Sequence, residues 1–323
     1  MAIPPAVVAA ARAGWRWQWL QLMGGLGPAD AEGNYSRPAS PFSERPALPA
    51  HAASAGGHLL IVGRSCPWAH RAWLTWRLRQ LGACIELVVA EPDPEAGRWR
   101  FAEPVLGCTT LQELYRRAGA DPAQRATVPV LLERSSGRVL VGESARLIEL
   151  LNAWPAPAGA PDLEPLPLAE AIHRWRERFQ HAVNDGVYRC GFARNQAAYD
   201  RAETALFEAL EAAEQALQEG GGPWLCGEAL TLADVQLFPT LIRLELVYAP
   251  LFGVSRRPLW QLPALWRWRQ GFYGLPGVAD CCFDQAWRAD YFGALFPLHP
   301  SGIVPAGPPL ATLVNGQPGT PSA

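Results

Sequence analysis

The sequence contains no lysine, and all 28 of its basic residues are arginine. They are balanced by 30 acidic residues, so the formal net charge is -2 and no basic excess favours nucleic acid as a partner. Charged residues are also scarce, at 18%, whereas hydrophobic residues make up 49% of the chain. This balance excludes an intrinsically disordered protein, and 323 residues are enough for two domains with a normal core each.

Cysteine motifs of the usual metal-binding and redox kinds are also absent. The seven cysteines include no Cys-x-x-Cys pair, which argues against a zinc ribbon and against a dithiol redox centre. Their odd number and the vicinal pair Cys281-Cys282 do not suit an ordinary disulfide framework either. We therefore expect no metal site and a reducing, cytoplasmic location.

The start of the chain lacks an uninterrupted hydrophobic run. Residues 6–23 are apolar, but Arg12 and Arg16 interrupt them, and no clear small-residue cleavage site follows. Because a membrane-spanning helix needs about 20 predominantly apolar residues, we expect no membrane segment here, and we expect no export signal. A poorly ordered or surface-packed helix is the better interpretation.

The chain divides into five segments. Residues 1–57 are an irregular lead-in, and residues 58–152 have the order β-α-β, then β-β-α, of a thioredoxin-like α/β domain. A proline-rich linker over 153–167 leads to an all-helical domain over 168–304, and a flexible tail covers 305–323. The predicted elements of the first domain are His58–Gly63, Pro67–Leu81, Cys84–Ala90, Thr127–Leu132, Arg138–Val141 and Glu143–Asn152. Those of the second are Leu168–Asp185, Gln196–Glu219, Thr231–Tyr248 and Pro263–Tyr273.

Cys66 is the strongest candidate for chemistry. It lies between a predicted buried strand and a helix that begins at Pro67, so backbone N–H groups and the helix dipole point at its sulfur. This position favours the thiolate and can lower a thiol pKa from about 8.5. Ala69 stands where a dithiol oxidoreductase has its second cysteine. Cys66 would therefore act as a monothiol, with an external thiol completing the cycle.

Two further features suit a ligand beside this cysteine. For Val128-Pro129 we expect a cis peptide bond, which leaves the backbone groups of Val128 free to pair with a peptide ligand. Glu143 and Ser144 open a helix, whose free N–H groups and serine hydroxyl suit a carboxylate. Glu143 could pair with an ammonium group, so a ligand with both a carboxylate and an amine, such as the γ-glutamyl end of glutathione, would use both residues. Plain helix capping is the other interpretation of this pair.

Other residues have structural interpretations. Thr231 and Asp234 have the spacing of a capping box at the start of a buried helix. His70 lies on an arginine-rich helix, where we expect an exposed side chain with no part in catalysis. Several tyrosines of the second half could line an aromatic pocket, although each alone is typical of core packing: Tyr188, Tyr199, Tyr248 and Tyr291.

In several blocks the sequence resembles the glutathionyl-hydroquinone reductases, also called Xi-class glutathione transferases. These blocks are residues 66–71, 97–101, 125–131, 184–193, 237–248 and 300–308. They follow the family's order over nearly the whole chain. Cys-Pro-Trp-Ala-His-Arg at 66–71 is specific, because omega-class relatives share only its first two residues. The resemblance implies a thioredoxin-like domain and an all-α domain of the glutathione-transferase type, usually in a homodimer.

The resemblance also implies a reaction, the reduction of glutathionyl-hydroquinones by glutathione as co-substrate. Cys66 would attack the glutathione sulfur, release the hydroquinone and leave a mixed disulfide that a second glutathione resolves. Carried over by motif, the residues that hold glutathione are Trp99, Arg125, Val128, Glu143 and Ser144. Those that face the aromatic substrate are Tyr188 and Tyr291, with Arg243 and Tyr248 as weaker candidates.

One departure from the family falls in the acceptor region. The family usually has a Tyr-Tyr pair followed by Ser-His, whereas this chain reads Tyr-Phe-Gly-Ala-Leu over 291–295. Two other functions stay open. One is an omega-like thiol transferase or dehydroascorbate reductase with the same Cys66 cycle, and the other is a non-catalytic protein that binds glutathione and a hydrophobic ligand.

Overall fold

A computed structural model of the chain describes residues 3–43, 56–93, 98–295 and 297–316. Its first element is helix α1 (Pro5–Leu26), in which Met23 is the only buried side chain. Large apolar side chains such as Trp17, which is 66% exposed, point into solvent along this helix. The expected surface helix is thus present, and the irregular lead-in begins only after it.

A six-stranded mixed sheet forms the centre of the first half. Its strands are β1 (His58–Gly63), β2 (Ile85–Asp93), β3 (Arg98–Val105), β4 (Cys108–Thr110), β5 (Val130–Glu133) and β6 (Val139–Val141). Their order is β4-β3-β2-β1-β5-β6, with β1 and β2 parallel and the other neighbouring pairs antiparallel. Every residue of β1 is buried, as a continuous apolar run at the centre of a sheet requires.

Three helices accompany this sheet: α2 (Pro67–Leu78), α3 (Leu111–Arg117) and α4 (Ser144–Ala153). The mixed sheet with its helices is consistent with the predicted thioredoxin-like domain. Strands β3 and β4 were not predicted from the sequence. Charged residues such as Arg98, Arg100 and Glu103 occupy the exposed positions of β3, so its short apolar pattern is hidden.

The second half is helical throughout the part that the structure describes. Its helices are α5 (Ala169–Phe179), α6 (Gly186–Gly191), α7 (Gln196–Glu219), α8 (Leu232–Leu241), α9 (Ala249–Phe252), α10 (Pro263–Tyr273), α11 (Asp284–Ala294) and α12 (Leu310–Asn315). Two π-helical turns follow α5 and α8, at Gln180–Asn184 and Leu244–Tyr248. Short 3-10 turns lie at Leu81–Ala83, Leu166–Leu168, Leu259–Gln261 and Ala279–Cys281.

The predicted helix over 231–248 differs from the structure, which divides it. Pro239 lies inside α8, and the helix ends at Leu241 before the π-helical turn begins. The Arg243 backbone N–H pairs with the Thr240 carbonyl at 3.2 Å instead of the Pro239 carbonyl, so the regular helical ladder ends here. The predicted capping box is confirmed, with the Asp234 carboxylate accepting the Thr231 backbone N–H at 3.0 Å.

The same region, Leu232–Phe252, is long and apolar enough to cross a membrane by composition alone, with a mean hydropathy of 1.3. Its most apolar window is 83% buried inside the protein. The interior of the fold therefore accounts for its apolar character. At the end of the chain, residues 305–316 differ from the predicted flexible tail, because they include α12, which buries Leu313 and Val314.

Candidate active site

A cavity of about 510 Å³ opens beside Cys66, at the carboxyl end of β1. This volume lies in the range of small-molecule sites, about 300–1,000 Å³. Six of the predicted site residues line it: Cys66, Trp99, Arg125, Val128, Ser144 and Tyr188. Four do not, namely Glu143, Tyr291, Arg243 and Tyr248. The structure therefore brings most of the predicted glutathione-binding residues together around the cysteine.

The Cys66 side chain stands at the N-terminus of α2, as predicted. Its Sγ donates a hydrogen bond to the Val128 carbonyl oxygen at 3.4 Å. Burial raises the pKa of the Cys66 thiol, although the backbone N–H groups of Ala69 and Trp68 and the charges of Arg243 and Arg37 act to lower it. The expected lowering is thus wrong for this structure, because the cost of burying a thiolate outweighs the helix N-terminus.

The Val128-Pro129 peptide bond is cis, which confirms the prediction. It lies just before β5 and on the wall of the cavity. Since the Val128 carbonyl accepts the Cys66 thiol, this backbone group faces the cavity and not a neighbouring strand. The site therefore presents a main-chain acceptor beside the sulfur, where a peptide-like ligand can use it.

Ser144 and Glu143 occupy different environments although they are adjacent. Ser144 lines the cavity, and its hydroxyl is buried with no hydrogen-bond partner among the described residues. Glu143 caps α4, because its carboxylate accepts the Ala145 backbone N–H at 3.2 Å. A buried hydroxyl without a partner costs free energy, so Ser144 is the better marker of a polar ligand at this helix end.

Trp99 and Arg125 line the cavity from different parts of the chain. Trp99 belongs to β3, and Arg125 lies in the segment before β5. Trp99 is half-buried in β3 and packs on Gly63, where a Cβ atom would stand only 2.4 Å from its ring. Glycine at the end of β1 thus gives this indole ring its place. Arg125 is exposed at the rim, so its guanidinium is available to an anionic ligand.

The opposite side of the cavity is aromatic. Tyr188 lines it, and its ring stacks on Trp68 with centroids 5.8 Å apart. Behind it, the Tyr291 hydroxyl is hydrogen-bonded to those of Tyr188 and Tyr248, the latter at 3.3 Å. Burial raises the pKa of Tyr188 and of Tyr291 well above the ordinary value. All three tyrosines, the third of which also has a raised pKa, are therefore neutral phenols that can donate a hydrogen bond.

His70 contradicts the sequence expectation, because it is only 1% exposed. Its Nδ1 lies 2.9 Å from a guanidinium nitrogen of Arg243, which is itself fully buried. The arginine-rich helix suggested a solvent-facing position. That interpretation was wrong because α2 packs against both the sheet and α8, so few of its side chains reach water.

The lead-in supplies a wall that sequence reasoning missed. Leu26, Tyr35 and residues 37–41 line the cavity. The Arg37 guanidinium lies 3.6 Å above the centre of the Trp68 ring and 3.5 Å from an Asp185 oxygen. The Phe42 carbonyl accepts the backbone N–H groups of Gly142 and Glu143 at 2.7 and 3.2 Å. Irregular backbone has no periodicity, so the sequence pattern gave no sign of this role.

The structure also shows where the departure from the family sequence at residues 291–295 lies. Phe292 is buried against His299, with ring centroids 5.2 Å apart, and does not line the cavity. Leu295 does line it, together with Phe192. Phe292, at the position of the second family tyrosine, is therefore outside the cavity wall, and Leu295 is the residue of this segment that lines it.

Two family models match the chain. The glutathione S-transferase N-terminal domain matches residues 65–154, and the C-terminal domain matches residues 196–271. Glutathionyl-hydroquinone reductase PcpF of Sphingobium chlorophenolicum is 32% identical over 262 residues, which are 78% of this chain and 83% of that protein. Glutathionyl-hydroquinone reductase YqjG of Escherichia coli K12 is 33% identical over 261 residues, 77% of this chain and 78% of its own.

A further relative and two solved structures agree. Glutathione S-transferase omega-like 2 of Schizosaccharomyces pombe is 30% identical over 298 residues, 86% of this chain and 94% of that protein. Glutathione-S-transferase Xi from Phanerochaete chrysosporium superposes with a TM-score of 0.80 at 30% identity, covering 87% of this chain and 94% of its own. The glutathione-bound structure of YqjG has a TM-score of 0.73 at 30% identity, covering 90% and 94%.

The fold is therefore that of a glutathione transferase. More closely, the chain belongs to the glutathionyl-hydroquinone reductase family, the Xi class of glutathione transferases. It is a glutathione-dependent enzyme and not the non-catalytic binding protein that the sequence left open.

Proposed function

We propose that the enzyme reduces glutathionyl-hydroquinones with glutathione, through a mixed disulfide at Cys66 in a thioredoxin-like domain. One observation carries this proposal. The Cys66 thiol shares a single cavity with the unpartnered Ser144 hydroxyl on one side and the Tyr188 phenol on the other. A polar, peptide-binding end and an aromatic, proton-donating end are what a glutathione joined to a hydroquinone needs.

Glutathione fits the polar end. Its γ-glutamyl carboxylate would accept the Ser144 hydroxyl at the N-terminus of α4, while Glu143, which caps that helix, would attract the ammonium group. Its cysteinyl backbone would pair with Val128, whose carbonyl faces the cavity. Trp99 and Arg125 would hold the rest of the tripeptide, with the arginine near a carboxylate.

Binding would also activate the cysteine. The Val128 carbonyl holds the Cys66 thiol in the free enzyme, so an N–H group of glutathione that takes this acceptor releases the thiol. The backbone N–H groups of Ala69 and Trp68 and the charges of Arg243 and Arg37 then favour the thiolate. The nucleophile thus forms when its target is present.

The reaction balances as a two-electron reduction. The Cys66 thiolate attacks the glutathione sulfur, an S–S bond forms, and the bond between sulfur and the ring carbon breaks. The electron pair of that bond goes to the ring carbon, which takes up a proton and leaves as hydroquinone. Tyr188, a phenol in the cavity wall, would supply that proton. A second glutathione thiolate attacks the mixed disulfide and restores Cys66, giving glutathione disulfide.

The proposal is tested by hydroquinone release from glutathionyl-menadiol with glutathione in excess. We expect release by the unaltered enzyme, loss of release in Cys66→Ser, and full release in Cys226→Ser. Cys226 is a matched control because it is half-buried, free and outside the cavity wall. A failure of the unaltered enzyme would contradict the substrate, and release by Cys66→Ser would contradict the nucleophile.

A second candidate is thiol transfer of the omega type on other disulfides, or dehydroascorbate reduction. The Schizosaccharomyces pombe relative is named an omega-like transferase, and the Cys66 cycle would be the same. Turnover of glutathionylated 2-mercaptoethanol or of dehydroascorbate, faster than that of glutathionyl-menadiol, would favour this function. We further propose a homodimer in a reducing, cytoplasmic setting, in line with the seven free cysteines. Light scattering of the purified chain checks the dimer.

A further inference from the structure

One guanidinium nitrogen of Arg243 uses both of its hydrogens inside the protein. It donates to the Pro239 carbonyl oxygen at 2.9 Å and to His70 Nδ1 at 2.9 Å. The break after α8 makes this possible, because the Arg243 backbone N–H pairs with Thr240 and leaves the Pro239 carbonyl to the side chain. Arg243 is thus held at one end by two fixed acceptors.

The contact defines the state of the histidine. A guanidinium can only donate, so His70 Nδ1 must be an unprotonated acceptor, and the ring proton is on Nε2. Nε2 lies 3.9 Å from Cys282 Sγ. Burial and the charge of Arg243 both lower the pKa of His70 well below its ordinary value, which keeps the ring neutral. His70 therefore holds the arginine without neutralising it.

The other end of Arg243 is unsatisfied. Its Nε and second terminal nitrogen are buried and have no hydrogen-bond partner in the part of the chain that the structure describes. The guanidinium lies 4.0 Å over the Trp287 ring, and no carboxylate of the described residues pairs with it. This cation lies one helical turn from the cysteine, because the His70 that holds it pairs its backbone N–H with the Cys66 carbonyl at 2.9 Å. Its charge acts in the direction that lowers the pKa of Cys66, Tyr248 and Tyr291. A buried cation of this kind is costly unless an anion forms beside it.

We propose that His70 is a positioning residue, which holds Arg243 so that its unpaired charge stabilises the Cys66 thiolate. The proposal rests on the proposed function in that Cys66 is the nucleophile. The groups whose charge or polarity bears on Cys66 are Arg243 and Arg37, the phenols of Tyr188 and Tyr248, and the N–H groups that begin α2. Among these, Arg243 is the cation whose orientation depends on His70.

Alkylation of Cys66 by iodoacetamide, followed against pH by peptide mass spectrometry, tests this inference without any hydroquinone substrate. His70→Asn keeps an acceptor oxygen close to the position of Nδ1, whereas His70→Gln and His70→Leu do not. We expect the alkylation midpoint to move up by about one pH unit in His70→Gln and His70→Leu, or about tenfold slower reaction at neutral pH. We expect His70→Asn to stay within about threefold of the unaltered enzyme.

Phe238→Leu is the packing control, because Phe238 contacts the His70 ring edge-on at 6.0 Å and makes no hydrogen bond to it. We expect it to leave the alkylation profile unchanged. If His70→Leu does not fold, the comparison of His70→Gln with His70→Asn decides the question. Equal profiles for these two variants would overturn the proposal. If the alkylation profiles follow the expected pattern but the enzyme releases no hydroquinone, only the proposed function is contradicted.

Discussion

Two fully buried arginines in the helical half of the enzyme have opposite surroundings. Arg269 pairs with the Glu245 carboxylate at 2.7 Å and also donates to the Leu241 and Leu313 carbonyls. Arg243 has only neutral partners, His70 and the Pro239 carbonyl, and two of its nitrogens have none in the described structure. Both are 0% exposed. Burial alone therefore does not mark an arginine as functional. What distinguishes Arg243 from Arg269 is that no carboxylate of the described residues pairs with it.

Removing Arg269, the arginine that is paired with a carboxylate, should have the largest effect on stability. We expect Arg269→Met to lower the free energy of unfolding by about 3–5 kcal/mol, because it leaves the Glu245 charge buried without its partner. Urea denaturation measures this. In the double variant Arg269→Met/Glu245→Met, most of the loss should return, and a loss equal to that of the single variant would mean that the pair is not what matters.

The uncompensated arginine should behave differently. We expect Arg243→Met to lower the free energy of unfolding by no more than about 1–3 kcal/mol, since the neutral acceptors His70 and Pro239 lose a donor but a costly unpaired charge is also removed. Hydroquinone release should fall about tenfold to a hundredfold with the folded fraction unchanged. Steady-state kinetics on protein checked by circular dichroism give the result. The comparison fails if the kinetic loss only follows the unfolded fraction.

The stability of the protein in acid should depend on His70, the neutral partner of Arg243. The pKa of His70 is lowered in the fold, so below the unfolded value of about 6.5 the unfolded chain binds the extra proton. The contribution of His70 to the free energy of unfolding is then fully present above that pH, and it falls by about 1.4 kcal/mol per pH unit below it. Denaturation at several pH values should show a shallower fall in His70→Asn. His58, whose pKa burial also lowers, contributes equally to both proteins.

The smallest expected effects extend the comparison to two buried hydroxyls. Thr231 is bonded in its capping box, so Thr231→Ala should cost about 1 kcal/mol of stability and leave the KM for glutathione unchanged. The Ser144 hydroxyl has no partner among the described residues, so Ser144→Ala should alter stability by less than about 0.5 kcal/mol and raise that KM about fivefold. If Ser144→Ala lowered stability while Thr231→Ala raised the KM for glutathione, an unpaired hydroxyl would not mark the ligand site.

Much of the glutathione side of the site could be predicted from sequence, because its residues stand at element ends. Cys66, Val128 and Ser144 each begin or precede a strand or helix, and such junctions have recognisable residues. The cis bond at Pro129 and the cap at Thr231 follow the same logic and are confirmed. The strength of the burial at Cys66 could not be predicted, since it depends on what packs over the cavity.

The other features depend on contacts between distant parts of the chain. His70 is buried by α8 and Trp287, far away in sequence, so its own helix gave no sign of it. The wall around Arg37 has no periodic pattern, and its place is set by Asp185 and Trp68. Strand β3 escaped notice for a different reason, because charged residues at its exposed positions hide its short apolar pattern.

The hydrogen bond from the Cys66 thiol to the Val128 carbonyl has a consequence for the survival of the enzyme. Peroxides oxidise thiolates far faster than thiols, and overoxidation to the sulfinic acid is irreversible for most proteins. An enzyme that keeps its cysteine protonated while idle loses little of it to oxidants between turnovers. Where quinone cycling generates peroxide, this resting state would lengthen the working life of each molecule.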